Sequence, residues 1–212
     1  MMRERFDAKT PEVLGKWYDM AFKKGDLKMS RLFYNEMLDH LEVPFDKSLK
    51  LLDIACGNGH LLHEAEKRVA SFGMDISRVG IARAGQVAAK SELQVGIAEN
   101  LPYANCCFDY VVCLGSLEHF LDMQKALQEM HRVVKKNGRI LLLVPNNDYL
   151  VFKVIGKPPL YQVNERWMSM AEWKMLIAKY LVIKEAKSFN THWFFKWIPI
   201  KYCCHFAFIC VK

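Results

Sequence analysis

A chain of 212 residues is long enough to bury one substantial core and short for two. With 52% hydrophobic and 25% charged residues it has the balance of a globular protein, and no run approaches the roughly 18 apolar residues of a membrane span. The formal charge of +7 is spread along the chain, which reads as a solvated basic surface and argues against nucleic acid as a partner.

The start, "MMRERFDAKTPE", has no apolar core after its charges and so reads as no signal peptide. Seven cysteines, at 56, 106, 107, 113, 203, 204 and 210, include two adjacent pairs and no C-x-x-C. Cys203, Cys204, His205 and Cys210 lack zinc spacing. The expectation is free thiols, no metal, and a reducing, cytoplasmic location.

In chain order, Pro11 to His40 reads as helical. Leu32, Phe33, Met37, Leu38 and Leu41 are expected to form one apolar stripe, and Ser30 is placed as an N-cap. "VPFDKS" is a turn. From Leu49 the pattern changes: "KLLDIA" is a buried strand, "GHLLHEAEKRVA" a helix, "SFGMDIS" a second strand, and "RVGIARAGQVAAKS" a helix suited to packing on a sheet. "LQVGIAENL" and "FDYVVCLGS" follow as strands. "DMQKALQEMHRVVKKNG" is an amphipathic helix, with Gly138 expected as its C-terminal stop, and "RILLLVPN" is a fifth strand. Beyond it, "MSMAEWKMLIAKY" reads as a helix capped by Ser169. "LVIKEAKSF" and "CCHFAFICVK" read as two more strands around the aromatic stretch "NTHWFFKWIPIKY".

Apolar strands alternating with helices mean an α/β protein: a doubly wound, mostly parallel sheet with helices on both faces. In such a sheet ligands bind beyond the carboxyl ends of the strands. Asp53, Asp75 and the pair Ala98–Glu99 all fall at those ends, one strand-helix unit apart.

The loop in "LLDIACGNGHLL" narrows the ligand. A phosphate loop needs a Lys followed by Ser or Thr, and neither is present. A dinucleotide fingerprint needs a third Gly where Leu62 stands, and Asp53 suits a pyrophosphate badly. A nucleoside with a cationic end fits the acid, and S-adenosylmethionine has that form.

Here the sequence resembles a family. "LLDIACGNGHLL" resembles the "VLD-x-G-C-G-x-G" loop that opens class I S-adenosylmethionine-dependent methyltransferases, with Ala55 in place of its first Gly. "SFGMDIS" resembles the second motif, an acid closing the second strand. "VGIAENLPYANCCFDYVVCLGSLEHFLD" and "EMHRVVKKNGRILLLVPN" resemble two further motifs, so four occur in order across residues 49 to 146.

The resemblance implies a Rossmann-like sheet of seven strands with an antiparallel last strand. It also implies a helical segment, 1–46, that closes over cofactor and substrate, followed by the methyltransferase domain, 47–212. The loop Ala55, Cys56, Gly57, Asn58 and Gly59 would meet S-adenosylmethionine, the two glycines allowing close backbone approach. Ala55 adds one methyl, which a negative φ accommodates. Asp53 would attract the ammonium and Asp75 would take both ribose hydroxyls. Met74 and Ile76 would flank the adenine. Ala98 would offer its backbone to the adenine edge, with Glu99 beside it and Ile97 where the family often has Asp. The Leu114 carbonyl would meet the ammonium, and Tyr18 would act in the lid.

Transfer by in-line displacement needs alignment first, and a base only where the acceptor loses a proton. His119, in "LEHF", is the candidate base. The acceptor is expected to be a small molecule, lipid or glycan, since no N-P-P-Y motif follows the fourth strand. Trp167, Trp193, Phe194 and Trp197 are candidates for its pocket. Monomer or homodimer, with no integral membrane association, is the expected state. A non-catalytic binding protein and a nicotinamide-dependent oxidoreductase are the alternatives.

Overall fold

The computed structural model describes residues 8–25, 29–149, 163–189 and 204–212. The stretch 192–202, with Trp193, Phe194 and Trp197, and also Cys203, lie outside the described residues. Helix α1 spans Pro11–Lys24, started by the Thr10 hydroxyl accepting from the Val13 amide. Helix α2 spans Arg31–His40, and Ser30 caps it through the Phe33 amide. Then follow β1 (Lys50–Ile54), α3 (His60–Arg68), β2 (Ala70–Asp75), α4 (Arg78–Val87), β3 (Glu92–Val95) and β4 (Phe108–Leu114). A 3-10 turn at Leu117–His119 leads to α5 (Met123–Val133) and β5 (Val134–Pro145). The described elements end with α6 (Met170–Ile177), β6 (Val182–Phe189) and β7 (His205–Val211). Ser169 and Glu172 form a reciprocal capping box at the start of α6.

The seven strands form one sheet in the order β3-β2-β1-β4-β5-β7-β6. The pairings from β3 across to β5 are parallel, and β7 runs antiparallel to both β5 and β6. The chain direction of winding reverses between β1 and β4, so the crevice at their carboxyl ends is where such a fold takes ligands.

Each face of the sheet is closed by helices. On one side α5 buries Leu127, Met130 and Val133, and α6 buries Trp173 and Ile177. The Trp173 indole N–H, which burial would otherwise strand, donates to the Pro145 carbonyl at 3.0 Å. On the other side Phe33, Met37, Leu38 and Leu41 of α2 share a core with Leu61 and Ala65 of α3 and with Leu51, Leu141 and Ile209 of the sheet. Helix α2 therefore builds the core, whereas α1 packs on α4 at the ligand end. Asp19 fixes that docking, its carboxylate accepting from the Ser77 hydroxyl at 2.6 Å and the Val79 amide at 3.1 Å.

Two local expectations are corrected. Leu32 does not join the α2 stripe and is 81% exposed, because it sits one position off the buried 33/37/41 face. Gly138 does not stop α5. That helix ends at Val133 and its successors run directly into β5. Gly138 lies within the strand because a Cβ there would stand 2.6 Å from Val134 Cγ2 and 2.8 Å from the Asp109 carbonyl. Close packing, rather than a helix terminus, selects it. The described cysteines carry no disulfide.

Candidate active site

The segment between β1 and α3 turns sharply through three left-handed residues: Ala55 (φ +59°), Gly57 (φ +52°) and Gly59 (φ +77°). The Cys56 amide donates to the Met74 carbonyl, and the Gly59 amide closes the turn on the Cys56 carbonyl. Ala55 therefore lacks the negative φ that would accommodate its methyl, and carries strain of about 1–2 kcal/mol in a conformation glycine adopts freely. Gly59 also serves a purpose other than the expected one. A Cβ there would meet Ala84 Cβ at 2.9 Å and Cα at 3.0 Å, so Gly59 lets α4 close on the loop. Gly57 lies under the Phe22 ring, 3.2 Å from where its Cβ would be. Burial pushes the Cys56 thiol well up, so it packs as a neutral group with Leu62 and Ala88.

Above this loop lies a cleft of about 280 Å³, near the lower end of the roughly 300–1,000 Å³ usual for small-molecule sites. Asp53, Ala55, Cys56, Gly57, Asn58, Asp75, Ile76, Ala98, Glu99 and Leu114 all line it, as do Met74, His119 and Tyr18. Gly59 does not face it. Thus the residues expected to meet one ligand converge on one cavity, from the ends of β1, β2, β3 and β4.

The cofactor end of the cleft is acidic and dry. Burial, with the Asp75 carboxylate close by, raises Asp53 well above the usual carboxylate range. Burial raises Asp75 to about 6, held back from rising further by the amides of Ser77 and Gly57. Those amides donate to its two oxygens at 2.8 Å each, one per oxygen. Asp75 is thus held rigid at the strand end, and each oxygen keeps a second lone pair for a ligand hydroxyl. Ser77, not Asp75, caps α4. Two buried acids side by side favour a ligand with positive charge, which relieves both. The donor set fits S-adenosylmethionine: a hydroxyl-accepting carboxylate, a second acid for the ammonium, and an apolar slot by Met74 and Ile76.

Other expected residues are already engaged. Glu99 accepts from the Asp122 amide at 3.1 Å, which ties one oxygen to the loop before α5. The Leu114 carbonyl accepts the Ser116 hydroxyl at 3.1 Å and keeps one lone pair. His119 is buried, and its Nδ1 lies 2.8 Å from the Val163 carbonyl. An N–H on Nδ1 donates there, leaving Nε2 as the lone-pair nitrogen. Burial lowers this histidine to about 4. Tyr18 places its ring edge against His119, centroids 6.4 Å apart, and burial raises its phenol. Trp167 does not line the cleft.

Sequence reasoning missed three participants. Phe22 covers the loop glycines, and its spacing with Leu14 and Tyr18, one helical turn apart each time, was the available signal. Glu118 is buried, raised to about 8 by desolvation, with Oε2 lacking any hydrogen-bond partner. The third is the far half of the cleft, at the ends of β5 and β7. There Phe33, Tyr34, Leu143, His60 and His205 form a wall without a carboxylate. His60 stacks on Tyr34 at 6.2 Å between centroids. No local motif marks this wall, because the topology alone joins it.

A model of the family described as "Methyltransferase domain" matches residues 45–193. The chain is a class I methyltransferase. The curated relatives of this methyltransferase include the "Uncharacterized methyltransferase YcgJ" of Bacillus subtilis, 29% identical over 72% of this chain and 62% of that protein. The ubiquinone/menaquinone biosynthesis C-methyltransferase UbiE of Agrobacterium fabrum is 30% identical over 73% of this chain and 61% of that protein. The methyltransferase chain thus spans about three-fifths of the length of these relatives. Among solved structures, YcgJ superposes with a TM-score of 0.65 at 20% identity, covering 86% of this chain and 99% of that one. The [4+2]-cyclase SpnF superposes with a TM-score of 0.75 at 14% identity, covering 99% of both chains. These superpositions establish a shared architecture. No described helix of the methyltransferase is long and apolar enough to cross a membrane.

Proposed function

We propose that the protein transfers a methyl group from S-adenosylmethionine to a small, largely apolar acceptor. One observation carries this: the acids ending β1 and β2, with the glycine loop between, open into a single cleft that continues into a carboxylate-free aromatic wall. The cofactor, when bound, supplies an activated methyl on a sulfonium. Asp53 holds the ammonium, Asp75 the ribose hydroxyls, and Met74 and Ile76 the adenine faces, with the Ala98 backbone and Glu99 at its edge. The Leu114 carbonyl takes a further ammonium proton. The loop Ala55 to Gly59 sets the floor. Helix α1, within the segment 1–46, is the lid over the body 47–212, with Tyr18 and Phe22 excluding water from the reacting centre.

Phe33, Tyr34 and Leu143 offer apolar contact to a ring or short chain and no anchor for a cationic substrate, which is why a small apolar acceptor is favoured over a glycan. His119, lowered to about 4, is a weak base at neutral pH. Its Nε2 orients an acceptor hydroxyl and takes a proton only from an acidic one. Alignment is the larger contribution.

Thermal shift decides the cofactor. S-adenosylmethionine and its demethylated product should stabilise the protein, and NAD and ATP should not. Asp75→Asn should weaken that binding by about tenfold or more, the loss of hydrogen bonds to a charged group. Stabilisation by NAD alone would instead mean an oxidoreductase. No shift with any ligand would favour a non-catalytic binding protein.

A further inference from the structure

Helix α1 has two faces. At roughly 100° per residue, Leu14, Tyr18 and Phe22 share the side that lines the cleft. Val13, Lys16, Met20, Lys23 and Lys24 share the opposite side, and all five are exposed. Val13 and Met20, two turns apart, are 41% and 55% exposed. None of the three lysines takes part in a salt bridge among the described residues. Asp19, the acid nearest this face, is turned inward to hold Ser77 and the start of α4. The first-turn Glu12 is the exposed acid of the helix.

An isolated exposed apolar residue needs no explanation. Here the apolar surface has a direction. It leads to Met29, which is 38% exposed and also lines the cleft, and on to the start of α2, where Leu32 is 81% exposed beside Arg31. The rim of the cleft is thus apolar outside as well as inside, and its outer charges are positive.

We propose that the outer face of α1, with Met29 and Leu32, docks on a bilayer carrying anionic phospholipid. Apolar side chains reach the headgroup boundary while flanking lysines meet the lipid phosphates, the pattern of a helix lying in the interface plane. Docked in this way, the lid faces the lipid and the cleft opens beside it. The docking stands on the surface alone. That the acceptor is then drawn from the lipid phase rests on the function proposed above.

The test is flotation of the whole chain with unilamellar vesicles. One set is phosphatidylcholine and the other contains roughly one-third phosphatidylglycerol. The wild type should float with the anionic vesicles, remain behind with the neutral ones, and be released as salt shortens the Debye length. Met20→Asp, and separately the triple change Lys16→Glu, Lys23→Glu, Lys24→Glu, should each lower the bound fraction at least about tenfold. Both sets of side chains are solvent-facing, so melting temperature and cofactor-induced thermal shift should stay at wild-type values. These two readouts separate loss of docking from loss of folding or of cofactor binding. The proposal is overturned if the wild type ignores anionic vesicles, if it binds neutral ones equally well, or if the variants bind as the wild type does. Failure of the cofactor shift without vesicles would count against the proposed function and leave the docking result standing.

Discussion

Ala55 holds a left-handed φ of +59° in a loop where glycine would hold it freely. Ala55→Gly should therefore raise stability by about 1 kcal/mol, read as a higher denaturation midpoint. Glu118 should govern a pH dependence. It keeps its proton to about pH 8 when folded, against 4.5 for the unfolded group. Between those values the folded state binds more protons, so stability falls as pH rises through the window. Glu118→Gln mimics the protonated form. It should match the wild type near pH 5 and gain on it progressively toward pH 8, in melting temperatures taken across that range. His119 works in the opposite sense at lower pH: lowered to about 4, it withdraws stability as pH falls from 6.5. The acids Asp53 and Asp75 were legible in the sequence because each ends an apolar strand. The partners that hold Asp75, and the burial of Glu118, were not. Both arise from contacts between segments that no local pattern joins.

Helix α1 meets the body through few groups, of which Asp19 is the most specific. Asp19→Ala should remove the bonds to Ser77 and Val79. The expected result is a loss of about 1 kcal/mol and a several-fold weaker cofactor affinity, with the core of α2 and the sheet intact. Calorimetric titration beside a denaturation curve would separate the two effects. Periodicity made the helices legible, and the N-caps Ser30 and Ser169 were read correctly because a hydroxyl before an apolar-periodic run has a mechanical reason to be there. The glycines were harder. Gly59 and Gly138 both look like conformational punctuation, yet each makes room for an atom from another element. Sequence shows that a side chain is missing but does not show what occupies the space.

The whole sheet depends on β7, which is bonded on both sides, to β5 and to β6. Removing residues 205–212 would strip out Phe206, Phe208, Ile209 and Cys210, all buried. At roughly 1.5–3 kcal/mol per buried side chain, that loss reaches the roughly 5–15 kcal/mol total stability of an ordinary domain. The shortened chain should fail to show a cooperative transition by circular dichroism. The alternation of strands and helices predicted the parallel half of this sheet, but nothing in the sequence says that β7 passes inside β6. This insertion also sets a clock. The apolar edge of β5, Ile140 to Val144, can close only once β7 has been made, about sixty residues later. At 5–20 residues per second of synthesis, that edge stays open for roughly 3–12 s. Throughout that interval the nascent chain presents an unpaired hydrophobic strand, the species most prone to pair with a neighbour instead of with itself.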